Sequence, residues 1–548
     1  SNADRFVKFW NKMKNDFRLE HKKEHENIIK LNDIFTWYAH NAMIHYSTPH
    51  GLEQYTGAAW GTRDVCQGPL EFFIAVRKYP VIKEILNIVF SHQYKHSGAW
   101  PQWFMFDRFV SIQNEESHGD IIIWPLKALC DYIEFSNDIN ILNKEVPYTD
   151  VHNFLFTKEK DSILNHTIKL IDHIINKFIP KTSLICYGEG DWDDTLQPAD
   201  ISMREKMVSG WTVSLIYQTF CRYSKICNLF GQKELADKLQ KICNNIKEDV
   251  NKYLIKDNVI AGFAYFNDIN NIDYLLHPKD NKTGVNYRLL PMTRGIISEI
   301  FTKEQAEDHV KIIFDKLFFP DGVRLMNAPV LYKGGVRAYF RRAEEASNFG
   351  REMGLLYVHA HIRFIEAMAK IGNADAVYKG LLAVLPINID KTVPNALLRQ
   401  SNAYFSSSDG CFNDRYEAEK NFEKLKTGKV KIASGWRIYS SGPGIYINQI
   451  VSNFLGIREW FSYIIIDPVI PKYLNGLKFD YNYGSKKIQY VYNIKHAQCG
   501  PIKITINGKN IDFERDENPY RQAGAKILKS IFEGMLVVDR VNEVEIYL

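Results

Sequence analysis

The sequence predicts a mainly α protein: an (α/α)6 barrel, or helical toroid, followed by a small C-terminal β domain. Three observations predict it. From residue 46 to 457, helical patterns of roughly 15–25 residues recur about a dozen times. The loops between them are rich in Gly, Pro, Trp and Asp, which suits a ring of paired helices with informative loops at one mouth. After residue 458 the apolar period shortens from helical to alternating.

Residues 4–45 ("RFVKFWNKMKNDFRLEHKKEHENIIKLNDIFTWYAH") read as charged linker helices, one long or two paired. In the 46–457 domain, "GPLEFFIAVRKYPVIKEILNIVFSHQY", "GDIIIWPLKALCDYIEFS", "DSILNHTIKLIDHIINKFI", "GWTVSLIYQTFCRYSKICNLF", "ELADKLQKICNNIKEDVNKYLI" and "GREMGLLYVHAHIRFIEAMAKIG" each carry an apolar stripe at helical spacing. The 458–548 domain holds "KKIQYVYNIKH", "IKITINGKNIDF" and "GMLVVDRVNEVEIYL", strands with Asn507-Gly508 as a hairpin turn. No fixed-period repeat calls for a solenoid.

Composition narrows the function. The net charge of +5 comes from 69 basic and 64 acidic residues with no basic block, so nothing points to nucleic acid or a membrane surface. No stretch of about 18 apolar residues occurs, and no charged-then-apolar leader opens the chain. The eight cysteines lack any C-x-x-C spacing, which fits a reducing, cytoplasmic setting and no zinc ribbon. Aromatic residues make up 13%, an excess that suits flat hydroxyl-bearing ligands such as sugars as well as a core.

Two motifs fail. His21-Lys-Lys-Glu24-His25 matches H-x-x-E-H but lies in a highly charged run without a third ligand, so a solvated helix face is the better reading. "DWDDTL" could open a calcium loop, but Leu196 stands where Gly is needed and Ser202 where the bidentate Glu should sit. No metal is expected.

Five stretches remain. "YGEGDWDDTL" (187–196) crowds Glu189, Asp191, Asp193 and Asp194 around Trp192: a turn, a cation site or the acid end of a sugar-cleaving pocket. "GLEQYTGAAWGTRDVCQGP" (51–69) places Arg63 and Asp64 before a helix, where they suit an anion and a hydroxyl, or simply a surface ion pair or cap. "SGAWPQWFMFDRF" (97–109) offers Trp100 and Trp103, as sugar platforms or as core. In "GLLYVHAHIRFIEAM" (354–368), His359 and His361 flank the buried stripe, and helical geometry does not choose between them. "YSSGPGIYINQIVSNFLGI" (439–457) puts Ser441 and Gly442 before Pro443, an anion-binding helix start or an ordinary cap.

Together "GEGDWDDTL", "GTRDVCQGP", "YVHAHIRFIEA" and "YSSGPGIYI" with "NFLGIR" resemble the catalytic domain of the inverting disaccharide phosphorylases, glycoside hydrolase family 94, over about residues 40–460. "GLEQYTGAAWGTRDVCQGP" and "GDWDDTLQP" look closest to its 1,2-β-oligoglucan branch and to the phosphorylase-like part of cyclic β-1,2-glucan synthases; most cellobiose-type members have D-W-N-D-G. The resemblance implies an (α/α)6 barrel over 46–457 with a C-terminal β-sandwich over 458–548, and Asp194 as general acid, with Trp192 and Asp64 at the −1 sugar. It implies phosphate binding by Arg63, His359, Ser441 and Gly442, with Ser441 where many members have Thr. Asp191, Trp100 and Trp103 are expected as further sugar contacts.

The expected reaction is phosphorolysis of β-glucooligosaccharides, with inorganic phosphate as co-substrate and no cofactor. Crowding by Glu189, Asp191 and Asp193 would help Asp194 hold its proton. Two rivals stand. An inverting hydrolase would use Glu344 or Glu345 as base, about 6.5–9.5 Å from the acid. A non-catalytic sugar-binding fragment is the other, because the family carries an N-terminal β-sandwich that helps form its dimer and none is seen before residue 46. A homodimer, or association with such a domain, is therefore expected.

Overall fold

The computed structural model describes residues 1–47, 59–346, 353–435 and 441–548. Residues 51–58 of the first glycine-rich stretch, Tyr439 and Ser440 before Ser441, and part of "RRAEEASNFGRE" lie outside the described residues. Helices are the dominant regular structure up to residue 454, and strands are the dominant one after it.

The N-terminal run is not one solvated helix. Helices Asn2–Met13 and His25–Ser47 flank a short strand, Arg18–Glu20. His21 lies in the intervening turn and is buried, facing the Asn475 carbonyl through Nε2 at 3.1 Å and accepting from the Glu24 amide at 2.9 Å. His21 works as a cap and is not on a solvated face, while Lys22, Lys23 and His25 of the same motif are exposed as expected. The strand pairs antiparallel with Lys478–Asp480, stitching the N-terminus to the far end of the chain.

The helical part is more broken than its periodicity suggests. The run 68–91 forms two helices, Gly68–Ala75 and Tyr79–Ser91. Arg77 between them takes a left-handed φ of 57°, and Pro80 can start a helix but not continue one. The break is used: Arg77 donates to the Asn482 carbonyl at 2.9 Å and lies over the Tyr481 and Tyr483 rings of the β part. The longest neighbours, Gly210–Leu229 and Lys233–Asp249, pack on each other.

Short sheets inserted among the helices hold the site. Trp60–Gly61, Trp103–Phe104 and Gln113–Asn114 form one, Leu356–Tyr357, Ser407–Gly410 and Ile432–Ser434 a second, and Met207–Ser209, Phe263–Asp268 and Asn271–Leu275 a third.

At the C-terminus a six-stranded sheet runs Arg18–Glu20, Lys478–Asp480, Ile488–Asn493, Asn542–Tyr547, Lys503–Ile506, Lys509–Asn510. A four-stranded sheet runs Ile457–Trp460, Tyr463–Ile466, Ala525–Leu528, Glu514–Arg515. The expected hairpin is present: Asn507 and Gly508 both have positive φ (50° and 78°), as the tight turn requires. One continuous apolar core runs from the N-terminal helices into this β part.

Candidate active site

Arg63 sits on a one-turn helix, Thr62–Val65, directly after the strand Trp60–Gly61. Thr62 anchors that turn by donating its hydroxyl to the Pro101 carbonyl at 2.6 Å and its amide to the Gln102 carbonyl at 3.0 Å. One guanidinium nitrogen of Arg63 donates to both oxygens of Asp120 at 3.0 Å, and Trp124 Nε1 donates to the same carboxylate at 2.9 Å. Asp120 is fully buried, so it aims the arginine rather than binding a ligand. The other nitrogen, Nη2, stands 3.8 Å from Asp194 Oδ1.

The acidic loop sorts its carboxylates. Asp191 is completely buried: Arg288 Nη2 donates to both of its oxygens at 3.0 and 2.8 Å, the Ser209 hydroxyl at 2.8 Å and the Asp193 amide at 2.9 Å. Its oxygens are committed to the loop, which corrects the expectation that Asp191 grips sugar hydroxyls. Asp193 is buried and accepts from the Thr195 hydroxyl at 2.7 Å, and Glu189 pairs with Arg204. Only Asp194, opening the 3-10 turn Asp194–Leu196, keeps substantial side-chain exposure, 32%. The expected crowding of free acids around Asp194 is therefore absent, because Asp191 and Glu189 each meet an arginine. The loop needs its glycines: Gly188 and Gly190 have φ of 60° and 142°.

His118 was not anticipated. Its Nδ1 donates to the Asp191 carbonyl at 2.9 Å and lies 3.6 Å from Asp194 Oδ1, while its Nε2 faces Gln197 Nε2 at 3.0 Å.

The two histidines of the Val358–Ile371 helix separate cleanly. Both are buried. His361 is satisfied, donating through Nε2 to the Gly380 carbonyl at 2.8 Å and accepting the Val323 amide at Nδ1, 3.3 Å. His359 bonds only through Nε2, to Gln67 Oε1 at 3.1 Å, and its Nδ1 has no partner among the described residues. Its ring lies 5.2 Å from that of Trp192, which also meets Tyr357 edge-on at 4.7 Å. Burial holds His359 well below the usual histidine range, helped by the positive charges of Arg363, Arg294 and Arg63.

Ser441, fully buried, precedes the helix Gly442–Asn448 and donates its hydroxyl to Asp64 Oδ1 at 3.4 Å instead of capping that helix. Gly68 lies against it so closely that a Cβ would come within 2.3 Å of Ser441 Cα, and a Cβ on Gly442 would run into the Tyr404 ring. Small residues here let two helix starts touch.

Arg63, Asp64, Trp192, Asp194, His359, Ser441 and Gly442 are thus linked by direct or one-residue contacts. Trp103 is half-buried on the strand paired with Gly61. Trp100 is a correction: it is fully buried, donates Nε1 to the Val89 carbonyl at 2.7 Å and packs edge-on against Phe90, so it belongs to the core. Glu344 is also corrected, since its buried carboxylate accepts the Tyr339 and Phe340 amides at 2.7 and 2.8 Å and serves a turn rather than a water. Glu345 ion-pairs with Arg337 at 3.1 Å. Among the described residues, no group of three or more His, Cys, Asp or Glu is arranged to hold a metal ion.

Sequence reasoning passed over His118, Asp120, Gln67, Arg288, Arg294 and Arg363. Gln67 and His118 stood in or beside loops already singled out. Arg363 lay in the singled-out stretch 354–368, one helical turn from His359, whereas Arg288 and Arg294 come from a distant loop and helix and carried no local signal.

The description "Glycosyl hydrolase 94 superfamily, catalytic domain" matches residues 9–406, and "Glycoside phosphorylase C-terminal domain" matches 456–547. A 1,2-beta-oligoglucan phosphorylase of Listeria innocua serovar 6a is 48% identical over 500 residues, covering 91% of this chain and 45% of that protein. A cellobionic acid phosphorylase of Neurospora crassa is 22% identical over 54% of this chain and 35% of its own length. The chain spans less than half the length of either relative. Among solved structures, a sialidase superposes with a TM-score of 0.53 at 15% identity, covering 96% of this chain and 42% of its own. A GH78-family rhamnosidase of Bacillus sp. GL1 superposes at 0.52 and 9% identity, covering 87% and 42%. At such identities the two share a fold with this chain and nothing more.

Proposed function

Because the chain belongs to the glycosyl hydrolase 94 superfamily, we propose that it catalyses inverting phosphorolysis of β-linked glucooligosaccharides, with β-1,2-glucans as the leading substrates. The products are α-glucose 1-phosphate and a shortened sugar. One observation carries this reading: four segments far apart in sequence meet at one place. Arg63 Nη2 lies 3.8 Å from Asp194, the Asp64 carboxylate 3.4 Å from Ser441, and the Trp192 ring 5.2 Å from His359. The β-1,2 preference rests on the relative named for 1,2-beta-oligoglucan, 48% identical to this chain.

In this reading Asp194 donates its proton to the glycosidic oxygen as the bond breaks through an oxocarbenium-like state. Trp192 and Asp64 hold the −1 sugar, and Trp103, on the strand paired with Gly61, offers a further sugar contact. Phosphate attacks from the opposite face, held by Arg63, His359, Ser441 and the Gly442 amide. It is already an anion, so the reaction needs no second carboxylate to activate water. The reading includes no cofactor beyond this co-substrate.

The architecture completes the proposal: linker helices over 4–45, an (α/α)6 barrel over 46–457 and a β-sandwich over 458–548. Shared fold with the sialidase and rhamnosidase chains supports a glycosidase-like helical domain. A cytoplasmic setting fits eight cysteines that are all free, and no helix among the described residues is long and apolar enough to cross a membrane. A homodimer, or a separate N-terminal β-sandwich partner, belongs to the same proposal.

The test is release of α-glucose 1-phosphate from β-1,2-glucooligosaccharides with and without inorganic phosphate. Phosphate-dependent product is expected. Free glucose formed at the same rate without phosphate would replace this reading with hydrolysis.

A further inference from the structure

Beside the arginines of the proposed phosphate site lies a buried hydrogen-bond acceptor, where only donors would be expected. Gln67 is 2% exposed and its Oε1 faces two groups: Arg363 Nη2 at 3.3 Å and His359 Nε2 at 3.1 Å. A guanidinium nitrogen can only donate, so the oxygen end of the carboxamide must point that way. His359 Nε2 must then donate to that same oxygen. Arg363 is itself held by Glu71 at 2.7 Å and Glu366 at 2.9 Å, so the frame that orients Gln67 is rigid and buried. The imidazole proton therefore resides on Nε2.

His359 Nδ1 is left as a bare lone pair, buried, without a partner among the described residues, and amid Arg63, Arg294 and Arg363. A buried acceptor left unpaired is costly, and a bare anion against it would add repulsion. The group that satisfies it must bring a proton while remaining an anion for the arginines. Orthophosphate near neutral pH keeps at least one P–OH; sulfate keeps none.

We propose that Gln67 is a positioning residue that locks His359 as the Nε2–H tautomer, so that His359 Nδ1 accepts the P–OH of phosphate and the site selects a protonated tetrahedral anion over sulfate. The proposal rests on the phosphate-site reading above. It adds an acceptor to that site and assigns the site's anion selectivity to one nitrogen. Burial and the neighbouring cations, which keep the ring neutral, serve the same end.

The test is calorimetric titration of the full chain with phosphate, arsenate and sulfate at one pH and ionic strength. Phosphate and arsenate should bind, and sulfate should bind at least about tenfold more weakly, the loss expected for an unmatched buried acceptor. Gln67→Glu places a carboxylate on Nε2–H, favours the imidazolium and turns Nδ1 into a donor, so the gap should narrow to about threefold or less. Imidazole 15N shifts of His359 in the wild-type protein give a readout independent of any variant: a protonated Nε2 and bare Nδ1 are expected. Sulfate binding as tightly as phosphate, or a proton found on Nδ1, overturns the inference and leaves the phosphate site intact. Absence of both phosphate binding and phosphate-dependent product overturns the site and the inference together.

Discussion

Asp191 and Asp194 are three residues apart in one loop, yet the structure gives them opposite work, and replacing each by asparagine separates the two. Asp191 has no exposed surface and forms an ion pair with Arg288, itself 1% exposed, through two contacts of 2.8–3.0 Å, with two further donors on the same carboxylate. Asp191→Asn leaves a buried guanidinium facing a neutral amide, which costs about 3–5 kcal/mol. Unfolding entropy of about 2.1 cal/mol/K per residue, taken over roughly 400–550 residues, is about 0.8–1.2 kcal/mol/K. A loss of about 4 kcal/mol then lowers Tm by roughly 3–5 °C.

Asp194 keeps 32% side-chain exposure, so Asp194→Asn should lower Tm by clearly less than Asp191→Asn does. Its loss as general acid should lower the rate of α-glucose 1-phosphate release by about 10²–10⁴-fold. Scanning fluorimetry and a coupled glucose 1-phosphate assay on the two variants decide the matter. An Asp191→Asn protein with unchanged Tm would refute the ion-pair argument. An Asp194→Asn protein keeping more than about a tenth of wild-type activity would refute the acid assignment.

Two other outcomes are expected. Burial holds His92, His166, His309 and His361 down to about 4 from an unfolded value near 6.5. The unfolded chain therefore binds protons that the folded one refuses: stability is intact above pH about 6.5 and falls as pH drops towards 4, by about 3 kcal/mol per histidine at the end of the window. Urea midpoints should fall steeply across that range, and His309→Gln should flatten the slope. Gly68→Ala sets a methyl 2.3 Å from Ser441 Cα, costing about 1–3 kcal/mol and raising KM for phosphate, whereas Gly534→Ala, with nothing within 4 Å of its Cβ, should change neither in the same melting and kinetic assays.

Much of the site was legible as types and spacing. A glycine-bounded acidic loop, an Arg-Asp pair before a helix and a Ser-Gly-Pro helix start are local patterns, and the fold keeps them local. Trp100 and Asp191 were misread for a shared reason. An indole or a carboxylate looks the same in sequence whether it faces ligand or core, and only the Val89 carbonyl and Arg288 distinguish the cases. His359 and His361 were indistinguishable by helical angle. Their roles diverge because the Gly380 carbonyl and the Val323 amide reach one, and only Gln67 reaches the other.

What the sequence by itself determined is the order of elements, helices and then strands, together with the chemical kinds of group the site could contain. Both follow from period, caps and turns, which are properties of near neighbours. Which of four acids stays exposed, which nitrogen of His359 is bare, and which arginines join Arg363, its neighbour one helical turn away, were decided only by tertiary structure. Those answers depend on Arg288, Gln67 and Arg363, partners 97, 292 and 296 positions away along the contacts that bind them, and no local pattern encodes a partner at that distance.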